Sequence, residues 1–194
     1  MIKRILLVCL LFMGLFFSCN EETLVLEGPS DDEVVSTDDD SASGEDASDN
    51  NDQNSDSSND STSACNDSSV NESEIVNDIL NLLNEHRRSI GKSTLTFNCV
   101  ATQLAIDHNQ YMIEQNQISH DGFSERFQTL QQEVNARSAG ENVASGYTSA
   151  QSVMTAWLNS EGHKANIEGN FTHIGIAAVR NDQGRLYYTQ LFYR

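Results

Sequence analysis

THIGIAAVR (172–180), NDQG (181–184) and RLYYTQLFY (185–193) decide the architecture. The two flanking runs are rich in β-branched, aromatic and small residues, and the four residues between them are a turn signal. The pair therefore reads as a β-hairpin. Both faces of the second strand are apolar: Leu186, Tyr188 and Phe192 on one, Tyr187, Leu191 and Tyr193 on the other. A strand apolar on both faces is covered on both, which puts helices above and below a central sheet. On the first strand His173 shares a face with Gly175, Ala177 and Val179, small neighbours that leave room for a ligand or for a packed helix.

Upstream of the hairpin, three stretches have helical spacing. In Asn71 to Gly91, Ile75, Ile79, Leu82 and Leu83 fall at i, i+4, i+7 and i+8, and Gly91 can stop the helix. From about Val100 to Asn116, the residues Val100, Leu104, Ala105, His108, Tyr111 and Met112 form an apolar stripe. From about Ser149 to Asn159, Ala150, Val153, Met154, Trp157 and Leu158 lie on one side. Residues 66–194 are long enough for one real core.

The chain has 194 residues, 29 acids against 11 bases and a formal charge of −18. A nucleic-acid binder needs a basic surface to displace counterions, so no nucleic acid is expected as a partner. Residues 27–64 hold 13 of the 29 acids and no Lys or Arg. The global charge thus describes mainly one tract of Asp, Ser, Asn and Gly. Such a tract cannot bury enough apolar surface to offset chain entropy, and it reads as a disordered tether spanning about 35 Å root-mean-square.

Before the tether, Lys3 and Arg4 precede an apolar run, Ile5 to Phe17, too short to span about 30 Å of hydrocarbon as a helix. It reads as an export signal. Phe17-Ser18-Cys19 resembles the lipobox of bacterial lipoproteins, which implies that Cys19 carries an acyl anchor and begins the mature chain. The expected division is 1–18 signal peptide, 19–65 lipidated Cys and tether, and 66–194 folded domain. Glu21 and Glu22 resemble surface-export tags of some lipoproteins, with retention on the periplasmic face as the alternative. In an oxidising compartment Cys65 and Cys99 suggest a disulfide, and two buried thiols are the alternative.

Polar residues gather between the regular elements: Ser119-His120-Asp121-Gly122-Phe123, Gly140-Glu141-Asn142-Val143-Ala144, Ser160-Glu161-Gly162-His163-Lys164-Ala165-Asn166-Ile167 and Thr172-His173-Ile174-Gly175-Ile176. With Asn84-Glu85-His86-Arg87, this ordered set resembles the CAP superfamily of cysteine-rich secretory, antigen 5 and pathogenesis-related proteins, in its short bacterial branch. The resemblance covers about residues 73–194. It implies an α+β fold, a three-layer α-β-α sandwich on a central antiparallel sheet, and a cleft where two His and two Glu can hold a divalent metal such as zinc. By position the metal residues are His120, Glu141 and His163. The fourth falls at Ser160, with Glu161 adjacent, and His173 enlarges the expected ligand-binding cluster.

Imidazole and carboxylate suit a zinc-like ion, and three ligands plus water make an open site. Each residue also has a plainer reading. His120 is a turn residue, Glu141 a cap or an acceptor of loop N–H groups, and His163 a helix-ending cation. His108 reads as a hydrogen-bonded core residue, and Trp157 as core. Arg126 and Arg137 bind anions or sit on the surface.

Three functions follow from these readings. The first is a membrane-anchored, extracytoplasmic, non-catalytic module that binds an unknown ligand or protein partner and meets the lipid bilayer through Cys19. The second is a metal-assisted, peptidase-like hydrolase with Glu141 as base and His120 and His163 as ligands. It lacks an HExxH pair and a G-x-S-x-G elbow. The third is a structural or adhesive surface module.

Overall fold

Apolar periodicity, caps and turn residues divide the chain into alternating helices and strands. A computed structural model describes residues 71–194 and, as backbone, one upstream strand. In chain order the elements are β1 (Thr23–Glu27), α1 (Ser73–Ser89), β2 (Thr96–Phe97), α2 (Cys99–Gln115), α3 (Phe123–Val134), β3 (Ser138–Ser145), α4 (Ala150–Asn159), α5 (Glu161–Ile167), β4 (His173–Arg180) and β5 (Leu186–Tyr193). The export signal, Cys19 and Cys65 lie outside the described residues. Cys99 is disulfide-bonded. Among the described residues no helix is long and apolar enough to cross a membrane.

The strands form one sheet in the order β1-β3-β5-β4-β2. All pairings are antiparallel except the two-residue β2–β4 pair. The expected hairpin is β4–β5, with Gly184 at φ +80° in its turn. Strand alternation sorts the side chains. The even-numbered residues of β3, β4 and β5 meet α1, α4 and α5 in one core that includes Ile79, Leu83, Met154, Trp157, Ile174, Tyr188 and Phe192. The odd-numbered ones meet α2 and α3 through Ala139, Leu191 and Tyr193 with Phe123, Phe127 and Leu130, and through Ala177 and Val179 with Ala105 and Ile106. The fold is thus the expected α+β three-layer sandwich, and it follows from a β5 buried along its whole length.

Local chemistry sets the helix ends. The Asn98 side chain accepts the Ala101 amide at 3.0 Å and starts α2, and Asn116 ends it in the left-handed region at φ 51°. Ser149 and Ser152 form a reciprocal capping box on α4.

Five elements depart from expectation. β2, α3, β3 and α5 lie where the sequence reads as connecting stretches, and β1 falls inside 19–65, read as unstructured. The α2 stripe is also rotated. Ala101, Thr102, Ala105, Ile106, His108, Asn109 and Met112 are buried, whereas Tyr111 is exposed. The polar Asn109 faces the sheet because it is satisfied there: its side chain donates to the Tyr187 carbonyl at 3.0 Å and accepts from the Thr189 hydroxyl at 2.7 Å.

Candidate functional site

Residues Gly140, Glu141 and Asn142 of β3 project alternately to the two faces, and each has a distinct task. On the even face, Asn142 donates to the His163 carbonyl of α5 at 3.1 Å and to Gln190 Oε1 at 3.1 Å. Asn166 of α5 donates to the Glu141 carbonyl at 3.1 Å and to Asn142 Oδ1 at 2.9 Å. A Cβ on Gly140 would lie 2.8 Å from Asn166 Oδ1, so the bare backbone admits this bridge. GEN and the later H-x-x-N are therefore two halves of one buried polar clasp between sheet and helix.

On the odd face the Glu141 carboxylate is fully buried. Arg126 of α3 meets it in a fork, Nε to Oε2 at 2.7 Å and Nη2 to Oε1 at 2.7 Å. His120, in the loop between α2 and α3, donates Nδ1–H to Oε1 at 2.8 Å. His108 of α2 stands 3.8 Å from the same oxygen, and its Nε2–H donates to the Ser119 carbonyl at 2.7 Å. Arg126 Nη1 also donates to the Asp121 carbonyl at 2.8 Å, which ties the His120 loop to α3. Outside this cluster lies a hollow of about 310 Å³, bounded by Leu104, Asp107, His108, Tyr111, Asp121 and Arg126 among others.

Burial alone would push the Glu141 pKa up. The hydrogen bond from His120 and the charge and fork of Arg126 outweigh it, and the carboxyl is held below its ordinary range. Burial is the main cause that pulls His108 down, against the attraction of Glu141, so its imidazole is neutral at neutral pH. Both shifts stabilise the folded state at higher pH. A group whose pKa is lowered on folding loses its contribution as protons return to it. Stability should therefore fall on acidification below about 6.5 for His108 and again below about 4.5 for Glu141, the ordinary values of the two groups. Urea titrations of the chain and of Glu141→Gln from neutral pH to below about 4.5 check it. The difference between the two proteins should shrink only in the lower window.

The structure brings His120 and Glu141 into direct contact and adds His108 and Arg126. The other candidates are distributed differently. His163 is buried on α5, whose clasp with Asn142 and Asn166 covers the opposite face of the sheet. Glu161 is exposed at the start of α5. His173 stacks on Tyr193 with ring centroids 4.8 Å apart and bonds Thr172 Oγ1 at 2.8 Å. Strand β5 separates it from β3, so it does not enlarge the cluster.

The same geometry bears on the expected metal residues His120, Glu141 and His163. Arg126 and His120 engage both Glu141 oxygens, Oε1 twice and Oε2 once, and the lowered pKa of the carboxyl does not favour it as a base. Among the described residues no group of three or more His, Cys, Asp or Glu is arranged to hold a metal ion. Arg126, an anion binder or a surface residue by its sequence context, is the partner of Glu141 in the fold. A Glu buried in a strand demands a cation, but SAGENVAS carries no strand period, so that demand shows only in the fold. A larger hollow of about 1000 Å³ lies at the hairpin end, lined in part by Ser145, Tyr147, Arg180, Arg185 and Tyr187. None of the candidate residues borders it.

Comparison with known proteins gives the same outline. The family model described as CAP, the cysteine-rich secretory protein family, matches residues 80–192. The chain is 34% identical over 120 residues to the uncharacterized membrane protein YlbC of Bacillus subtilis, covering 59% of this chain and 33% of that protein. It is 32% identical over 107 residues to the uncharacterized protein YkwD of the same organism, covering 53% of this chain and 42% of that one. The chain thus spans less than half the length of these curated relatives. Among solved structures, an extracellular protein with an SCP domain from Bacillus anthracis matches with TM-score 0.55 and 31% identity, over 62% of this chain and 40% of that one. An outer surface protein of Borrelia burgdorferi matches with TM-score 0.57 and 21% identity, over 62% of this chain and 92% of that one, and shows the shared fold.

Proposed function

The chain belongs to the CAP family of cysteine-rich secretory proteins, and on that premise we propose that it is a membrane-anchored, extracytoplasmic module that binds a ligand or protein partner without turning it over. The fork between Arg126 and Glu141 carries the reading. A hydrolase built on this cluster needs a carboxylate that can take a proton from water near neutral pH, and here the carboxylate is locked to a guanidinium. What remains at the surface is a small, mostly apolar hollow with a few polar groups beside a preorganised cluster, which suits recognition. Anchoring through an acylated Cys19 is supported by the signal that precedes it. It is also in keeping with the membrane, extracellular and outer-surface descriptions of the similar proteins. Glu21 and Glu22 favour the outer surface over the periplasmic face.

Zinc titration of the purified chain tests the non-catalytic reading. A ligand at a hundred times its Kd stabilises a folded protein by about 2.7 kcal/mol, a readily measured rise in melting temperature. The expected result is no rise at saturating zinc and no cleavage of a peptide library. A zinc-dependent rise that disappears in both His120→Ala and His163→Ala, with peptide cleavage that needs the metal, overturns the reading in favour of a metallohydrolase.

A further inference from the structure

Strand β1 pairs antiparallel with β3 over five positions, from Thr23 opposite Asn142 to Glu27 opposite Ser138, and forms the outer edge of the sheet. It reaches β3 from far away in sequence: residues 28–70 separate it from the folded domain. No turn ties it to its partner. On its two sides stand α3 and α5, both packed against β1 as well as β3. Leu24 lies opposite Glu141, so β1 runs past the buried cluster and past the Asn142–Asn166 clasp.

We propose that the outer edge of β3, walled by α3 and α5, is a groove for an extended, aliphatic-rich peptide, and that Thr23–Glu27 is its tethered occupant. Strand addition supplies the affinity. The outward N–H and C=O groups of β3 need partners, and any extended backbone can provide them. The sequence of the occupant, TLVLE, is of the β-forming kind. A strand joined to the domain through a connection of this length competes like free peptide at about millimolar concentration. A partner strand that binds more tightly therefore displaces it. Displacement also changes reach. With β1 docked, Cys19 is four residues from the sheet edge, about 14 Å at full extension. Once β1 is released, the sequence from residue 20 to residue 70 separates Cys19 from the sheet. The inference names the ligand class for the binding module proposed above. It rests on that reading, and its own failure leaves the zinc and cleavage results untouched.

The test uses the mature full chain and a fluorescein-labelled peptide of residues 21–29, EETLVLEGP. Consecutive N–H groups of a strand point to opposite sides, so of Leu24→Pro and Val25→Pro one removes a ladder bond to β3 and the other faces away. The ladder-breaking variant should bind the peptide at least about tenfold tighter than the wild-type chain, by fluorescence anisotropy. The other proline should leave binding near the wild-type level. Hydrogen exchange at Ala139–Val143 should speed up in the ladder-breaking variant and slow again with peptide, while β4 and β5 stay protected. Leu24→Gly combined with Val25→Gly, which weakens the strand without removing a donor, should show a smaller gain in the same direction. Dimerisation of the wild-type chain that the ladder-breaking proline abolishes also supports the groove, with a second copy as occupant. Peptide binding that is equal across all variants, or absent from all, overturns the proposal.

Discussion

Glu141→Ala should lower the stability of the folded chain by about 3–5 kcal/mol, read as a shift of the urea midpoint at neutral pH. The magnitude comes from what is left behind. Arg126 is buried and donates two bonds to the carboxylate, so removing it strands a guanidinium in a low-dielectric site. His120 loses its acceptor at the same time, and its loop loses one of its ties to the sheet. The double variant Glu141→Ala with Arg126→Met should recover much of the loss, because no charge is then left uncompensated. That recovery separates an internal anchor from a ligand-binding carboxylate. If Glu141→Ala costs less than about 1 kcal/mol, the typical net worth of one ordinary hydrogen bond, the anchoring role is wrong.

Gly175→Ala should be comparably damaging, at about 3 kcal/mol or more, near or beyond the usual cost of overpacking a core. Gly175 lies on the odd face of β4, where α2 crosses the sheet. A Cβ there would overlap the carbonyl carbon of Ala101 and the amide nitrogen of Thr102. These are backbone atoms, and no rotamer change relieves them. The whole helix must lift, which opens the packing of Ala105 and Ile106 on Ala177 and Val179. A melting temperature lower by about 10 °C is the expected reading for a domain of this size. A variant that melts within a degree or two of wild type would mean that α2 does not approach the sheet as described.

The elements legible in the sequence share one property, a regular period. Ile79 and Leu83 in α1, Val153 and Trp157 in α4, and the two-sided apolar strand β5 all announce themselves by spacing. Strand β3 does not. In SAGENVAS the residues serve different faces for different reasons: Gly140 is small to admit Asn166, Glu141 meets Arg126, and Asn142 holds α5. Its composition therefore carries neither alternation nor aliphatic enrichment, and it reads as a connection. The α2 stripe was misplaced for a related reason. Asn109 is polar yet buried, because Tyr187 and Thr189 satisfy it across the sheet. Strand β1 is five residues beside an acidic tract, and only its pairing with β3 distinguishes it.

Three layers, the hairpin and the CAP family are legible in the sequence, because a strand greasy on both faces must be covered twice and because motif order survives without coordinates. The sequence also singles out Glu141 and His120. The tertiary structure decided what that pair does. Which cation neutralises a buried carboxylate depends on distance through space, and Arg126 comes within 2.7 Å only after α3 packs on the sheet. It likewise decided that α5, with His163, covers the opposite face of the sheet. The face a residue occupies is set by strand register and helix packing, neither of which is written in local spacing.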